Sequence, residues 1–342
     1  MSSALAITHA ELNLAQHFLA AGTQELGNAI VGEEAAKVMF IAGLAMGDAN
    51  LALIGAPGGG KSTLLENAYR IVGGIEVQNV AFVPHRADLT AAELVGESAR
   101  SVKSITDSKG VTKSETISAE LQALLHPDIQ VVIFDEVTRA NPHALNAALG
   151  ILAKRRIVVD GEIIPMDRIE LVASGLNPGE TMTASFKPTA ALGSRQTMGA
   201  ILGANNEPER DIIQSAIWDD DWHETPELIE PVVTLPELHV VRRALTKVLF
   251  DDNMRLEGKL VSKRTIDALA DGELHETPII EADGRLSDKL KRITRTIALL
   301  RGRTTAQSQD LHSAVAYTVT GRLGFRGANK TTINAIVDYI YR

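Results

Sequence analysis

The sequence predicts an α/β fold: a mostly parallel, doubly wound sheet followed by an all-helical region. Three observations carry this. Short apolar runs alternate with helix-spaced segments up to about residue 206. A glycine-rich turn joins one such run to a helix. From Glu207 onward only helical patterns recur, with no convincing strand.

Taken in order, Ile7 to Met46 has apolar residues at helical spacing, interrupted at Val31-Gly32. Leu51-Ala-Leu-Ile-Gly55 reads as a strand running into the glycine turn, and helix formers fill Lys61 to Tyr69. Further strands are expected over Val77–Val83, Val131–Phe134, Ile169–Ser174 and Met198–Leu202, with helices over Ser118–Leu125 and Asn141–Lys154. Val131-Val-Ile-Phe134 is apolar throughout, as a strand covered on both faces must be. Downstream helices are expected over Pro208–Trp218, Pro236–Leu249, Ser262–Ala270, Ser287–Leu300, Ser308–Thr320 and Lys330–Tyr341. A chain of 342 residues suits two domains, 1–206 and 207–342. The acidic tract Asp219-Asp-Asp-Trp-His-Glu224 serves as a solvated linker over 219–225, with Trp218 and Trp222 as packing anchors. His223-Glu-Thr-Pro226 recurs as His275-Glu-Thr-Pro278; both read as helix starts, Thr capping and Pro opening the first turn.

Composition narrows the function. Hydrophobic residues make up 45% and charged residues 23%, as in ordinary folded proteins, while aromatics at 4% leave the core to Ala, Leu, Ile and Val. A net charge of −9 disfavours a protein whose main task is gripping nucleic acid, since phosphate contacts dominate that affinity. With no cysteine, disulfides, thiolate catalysis and Cys-ligated zinc are impossible, and His-Glu-x-x-His is missing too. Met1 to Gln16 has neither a basic start nor a long apolar run, so no secretion signal is read there. The longest apolar stretch, Val38 to Gly47, is roughly half the ~20 residues that span a bilayer. A cytoplasmic protein without membrane insertion is expected.

The chemistry concentrates in three places. Gly55-Ala-Pro57-Gly58-Gly59-Gly60-Lys61-Ser62 has every fixed position of a phosphate-binding loop. Its glycines let consecutive backbone N–H groups face one anion, and the following helix adds its positive dipole end. Lys61 brings charge to the β- and γ-phosphates, Ser62 offers a hydroxyl to Mg²⁺, and Thr63 follows in the first turn. Asp135-Glu136 ends a buried strand, at the sheet edge where open α/β folds bind ligands. Asp135 would hold Mg²⁺ through water and Glu136 would act as general base; alternatively the pair caps the next helix. Asn177, ending another strand, either orients the lytic water or turns the chain before Pro178.

In this order the pieces resemble the MoxR family of AAA+ ATPases over nearly the whole chain. Ile30-Val31-Gly-Glu33 looks like the family's adenine-side hinge, and Asp135-Glu-Val-Thr-Arg139-Ala-Asn-Pro142 resembles its Walker B segment. Arg156-Ile-Val-Val-Asp-Gly161 is similar to its hairpin insertion, and Leu300-Arg-Gly-Arg303 with Gln309-Asp310-Leu311 to its lid. The resemblance implies an AAA+ core with a helical lid and ATP with Mg²⁺ at the interfaces of a homo-oligomeric ring, a hexamer. It also implies a protein client, engaged with a separate von Willebrand A-type partner. Two positions depart from the family pattern. Gly193-Ser194-Arg195-Gln196 stands where an Asp-Arg-Phe finger is usual, which makes Arg195 either the trans-acting finger or a surface arginine. Ser287-Asp288-Lys289 places Lys289 at the lid's nucleotide-sensing position, with Arg292 one turn on. Arg139 either faces a neighbouring subunit or pairs with a local carboxylate. The segments Ser101–Lys113 and Asp160-Gly161 read as insertions off the sheet, either solvated loops or pore and partner contacts. The functional expectation is ATP-driven remodelling of protein complexes; the alternatives are a nucleotide-dependent switch with little turnover and a DNA-associated motor.

Overall fold

Strands apolar at every position have no face to offer to water, so they must lie between two layers. The computed structural model describes residues 6–56, 58–84, 100–106, 112–118, 124, 128–139, 149–159, 162–177, 190–203, 229–274, 279 and 283–342. In chain order the helices are α1 (His9–Ala29), α2 (Glu34–Met46), α3 (Lys61–Asn67), the one-turn α4 (Ala190–Gly193), α5 (Leu235–Leu245), α6 (Asp252–Ala270), α7 (Asp283–Leu300), α8 (Ser308–Leu323) and α9 (Lys330–Tyr341). The strands are β1 (Asn50–Ile54), β2 (Val72–Gly73), β3 (Val80–Pro84), β4 (Arg100–Thr106), β5 (Thr112–Ser118), β6 (Val131–Asp135), β7 (Arg156–Val159), β8 (Glu162–Pro165), β9 (Leu171–Leu176), β10 (Met198–Ile201) and β11 (Val233–Thr234).

Five strands form a parallel sheet in the order β10-β1-β9-β6-β3. Side chains alternate between two cores, as the two-residue period of a strand requires. Leu51, Leu53, Val131, Ile133 and Leu171 join a core with α1, α2 and the C-terminal helices. Ala52, Ile54, Val132, Phe134 and Val172 join a second core with Ile151, Leu152 and Ile157. Helix α2 is buried from Ala36 to Met46, apolar nearly all round because it lies between the sheet and α1, α5 and α7. Helices α1 and α5 both open with capping boxes, Thr8 with Glu11 and Thr234 with Glu237.

The C-terminal helices also reach the sheet and α2 through cations. Arg242 of α5 donates to the Leu44 carbonyl at 2.7 Å and pairs with Glu170, and Arg292 of α7 pairs with Asp48 on both carboxylate oxygens. That Asp48 pairing holds the Arg292 guanidinium above its ordinary range. Helix α8 crosses edge strand β10 backbone to backbone: a Cβ on Gly199 would stand 2.4 Å from the Gly321 Cα.

Several expectations need amendment. The expected strand 77–83 begins as a 3-10 turn over Val77–Asn79, and only β3 is extended. The expected helix over Ser262–Ala270 starts ten residues earlier, behind an Asp251 cap. One short strand does exist beyond Glu207: β11 pairs in parallel with β2, Val233 opposite Val72. It is two residues long, too brief for a periodicity to show. In the expected insertion, β4 and β5 pair antiparallel, Arg100 opposite Ser118 and Thr106 opposite Thr112, and β5 takes the first residue of the helix expected from Ser118. Where a hairpin insertion is expected, β7 and β8 do pair antiparallel, Arg156 opposite Pro165 and Val159 opposite Glu162. The helix expected over Asn141–Lys154 is described from residue 149, while 208–218, the acidic tract, both tryptophans and His275–Pro278 lie outside the described residues. No helix among the described residues is long and apolar enough to cross a membrane.

Gly199→Ala should force α8 off β10. The expected loss is about 1–3 kcal/mol of unfolding free energy, read from denaturant midpoints.

Candidate active site

Parallel pairing sets the C-terminal ends of β1, β9 and β6 side by side, with Leu53 opposite Gly175 and Phe134 opposite Ser174. The residues that leave those ends are the glycine loop, Asn177 and Asp135-Glu136, so three separate motifs meet at one edge.

In the loop, Gly58 and Gly60 have φ of 78° and 77°, left-handed values that glycine adopts without strain. Gly60 immediately precedes α3, and a Cβ there would lie 2.7 Å from Ile30 Cδ1, so the hinge residue presses directly on the loop. Lys61 is buried, and its ammonium donates to the carbonyls of Gly55 at 2.8 Å and Ala56 at 2.6 Å. Ser62 and Thr63 are exposed on the first turn of α3, and the Ser62 hydroxyl lies 3.5 Å from Asp135 Oδ2. Pro57 lies outside the described residues.

Asp135 Oδ1 accepts the Glu136 backbone N–H at 2.9 Å. Gly175 makes room for that carboxylate, since a Cβ there would stand 2.9 Å from Oδ1. Glu136 itself has φ of 48°, a left-handed backbone that costs a non-glycine residue about 1–3 kcal/mol and is typical of functional positions. Its carboxylate pairs with Arg139 at 2.9 Å, so of the two roles open to Arg139 the structure shows the local pair. Asn177 is only 7% exposed, and its Oδ1 has no hydrogen-bond partner. A buried amide oxygen of that kind is costly unless a ligand or water completes it.

The residues expected to form the hinge follow α1. Ile30 is buried, Val31 half-buried, and Glu33 caps α2 in a left-handed conformation while accepting the Gly203 N–H at 2.7 Å. Behind it lies a cavity of about 640 Å³ walled by Glu33, Ala35, Gly203, His312, Tyr317 and Lys330. The Tyr317 hydroxyl donates to the Ala35 carbonyl at 3.0 Å, and burial pushes its pKa up to about 12.

Two expected site residues are not brought to this edge. Lys289 donates to the carbonyls of Ser194, Arg195 and Gln196 at 3.1, 3.3 and 3.2 Å. That turn lies at the beginning of β10, beside Asn50 at the beginning of β1, so Lys289 is about 15 Å, one strand length, from the glycine loop. In this structure it anchors the turn that leads into β10. Arg292, the alternative, is likewise committed to Asp48. Arg195 shares the far edge. Its Nη1 donates to the Ala191 carbonyl at 2.6 Å, and burial, then neighbouring Arg285, holds its pKa below the ordinary arginine range.

Sequence reasoning missed the organiser of that far edge. Asn50 donates to the Leu152 and Arg195 carbonyls at 2.7 and 2.8 Å and accepts from Arg155 at 2.6 Å. Burial pushes the Arg155 pKa down to about 10 despite Asp48. A polar residue opening an otherwise apolar strand was the available signal. Gly175, the gap beneath Asp135, had none.

Residues 50–196 match the model of the AAA domain, dynein-related subfamily. The chain carries an AAA-type ATPase domain. That domain ends at Gln196, so β10 and the C-terminal helices lie beyond the matched segment. Among solved structures, a presumed ATPase from Cytophaga hutchinsonii superposes with a TM-score of 0.69 at 16% identity, over 97% of this chain and 96% of that one. At that identity the likeness speaks for the fold, the AAA+ sheet with its helical lid. No curated protein matches by sequence.

Lys289→Met should leave the affinity for a fluorescent ATP analogue within about twofold of wild type while lowering stability by about 1–3 kcal/mol, since three carbonyls lose their donor. A tenfold loss of affinity would return Lys289 to the nucleotide site.

Proposed function

We propose that this ATPase couples Mg-ATP hydrolysis to the remodelling or maturation of protein complexes, as a MoxR-like ring of identical subunits in the cytoplasm. The observation that carries the hydrolytic half is the convergence of Lys61, Ser62, Asp135, Glu136 and Asn177 on one sheet edge. The residues fit a magnesium-bound triphosphate: a loop whose Gly58 and Gly60 take left-handed backbones, an ammonium beside it, a hydroxyl and carboxylate 3.5 Å apart, and an unpartnered amide oxygen. Ser62 and Asp135 would hold Mg²⁺, which supplies charge neutralisation at the phosphates when bound.

Each residue then has a defined task. Lys61 exchanges the Gly55 and Ala56 carbonyls for phosphate oxygens. Asn177 Oδ1 orients the attacking water, and Glu136 accepts its proton as the water oxygen bonds to the γ-phosphorus and the β,γ-bridging bond breaks, its electron pair leaving with ADP. Glu136 must first loosen from Arg139. Support for the ring comes from the far edge: Arg195 sits a strand length from its own loop, so a role in hydrolysis requires a neighbour's site. The antiparallel pair β7-β8 and the helical lid favour the MoxR-like reading. A von Willebrand A-type partner would be a separate polypeptide; DNA remains the disfavoured client.

The Glu136–Arg139 pair also supports a second reading, a nucleotide-dependent switch with little turnover. Steady-state phosphate release separates the two. Under the motor reading, Glu136→Gln keeps ATP affinity and loses turnover by at least about 10²-fold, while Lys61→Ala loses affinity. Arg195→Ala should lose turnover on the order of 10³-fold, and mixing it with Lys61→Ala should restore activity at interfaces that combine an intact loop with an intact finger. No recovery on mixing would remove Arg195 from the trans role, and a wild-type ring without turnover would leave the switch.

A further inference from the structure

Helices α6 and α7 leave a groove between them on the side of the lid away from the sheet contacts of Lys289 and Arg292. It encloses about 480 Å³. Its floor is apolar: Val248, Met254, Leu290 and Leu311 line it and are almost fully buried. Leu249 stands at its mouth, 62% exposed, although its backbone is pinned by hydrogen bonds from its N–H to the Thr304 carbonyl and from the Ala306 N–H to its own carbonyl, both 2.9 Å. Leu249 thus extends the apolar floor to the groove's opening on a fixed backbone. At Gly258, in the middle of the α6 wall, an added Cβ would meet nothing within 4 Å.

The rim has one sign of charge. Lys247, Arg255, Lys259, Lys291 and Arg295 line the groove, and no carboxylate is among the described lining residues. Lys247 is spent on Glu11 and Arg255 on Asp252. Lys259 and Lys291, one on each wall, are exposed and make no ion pair among the described residues. Arg295 lies 5.4 Å from the Phe250 ring centre, and its buried Nε has no hydrogen-bond partner. The chain as a whole carries −9, so this cationic rim runs against its overall charge.

We propose that the α6–α7 groove docks an acidic amphipathic helix of a partner protein, its apolar side chains on the Met254–Leu290 floor and its carboxylates on Lys259 and Lys291. Met254 to Ser262 and Ser287 to Arg295 run alongside each other for about 12 Å, or two helical turns, which suits apolar anchors at i, i+3, i+4 and i+7. A two-fold pairing of this face with its own copy would set like charges together. The surface is remote from the phosphate loop, so docking serves client or adaptor capture and stands whether or not the remodelling reading holds.

The test is fluorescence anisotropy on the full-length protein with a labelled helical peptide about three turns long, carrying Leu at the four anchor positions and Glu elsewhere. Wild type should bind this probe, and bind at least tenfold more weakly the peptide with Lys in place of Glu. Lys259→Glu with Lys291→Glu should reverse that preference. Gly258→Leu, which fills the groove while improving helix propensity, should weaken probe binding at least tenfold with phosphate release unchanged. Equal binding of both peptides, or unchanged binding in both variants, overturns the proposal. Two other results overturn the choice of occupant: tighter binding and displacement of the probe by a peptide of residues 217–225 of this chain, or self-association by sedimentation that the charge reversals abolish.

Discussion

Parallel pairing of β9 between β1 and β6 is the constraint on which the rest depends. In a parallel sheet all strands end at the same edge, so whatever follows the three central strands is delivered to one place without any long-range search. The glycine loop, the Asp135-Glu136 pair and Asn177 are far apart in sequence, and only this register puts them together. Small residues permit the closeness: Gly175 leaves space for the Asp135 carboxylate, and Gly60 lies under the Ile30 side chain. A slip of one residue in β9 would carry Asn177 away from the edge and swap the two cores.

The two ends of the sheet carry opposite electrostatic work. At the C-terminal end, the glycine loop, the Lys61 ammonium and the carboxylates of Asp135 and Glu136 gather within hydrogen-bonding reach of one another or of neighbouring main-chain groups. At the N-terminal end, cations turn inward: Lys289, Arg155 and Arg195 all donate to main-chain carbonyls, around Asn50 as the common acceptor and donor. Buried carbonyls without donors are expensive, so these side chains are structurally committed first. Arg195 differs in having a second guanidinium, Arg285, near enough to lower its pKa beyond the effect of burial.

The helical region is thereby bonded to the sheet rather than merely resting on it. Helices α5, α7 and α8 each contribute a cation, through Arg242, Lys289 with Arg292, and Arg322, which donates to the Gln196 carbonyl at 3.3 Å. In addition, α8 crosses β10 backbone to backbone. The α6–α7 groove then lies on the part of the lid that these bonds leave outward.

By itself the sequence determined the local features: the apolar runs that had to be doubly covered strands, the glycines that had to make a loop, and the carboxylates that had to follow a strand. These depend on chain neighbours only, and Lys61, Ser62, Asp135, Glu136 and Asn177 stood where their motifs put them. The tertiary structure alone decided which distant groups meet. Lys289 matched a sensing position in sequence, yet the docking of α7 gave its ammonium three carbonyls at the opposite edge. β11 was too short to show a period, and its partner β2 lies more than a hundred residues earlier. Asn50, Gly175 and the groove walls owe their roles to packing between elements, which no window of neighbouring residues encodes.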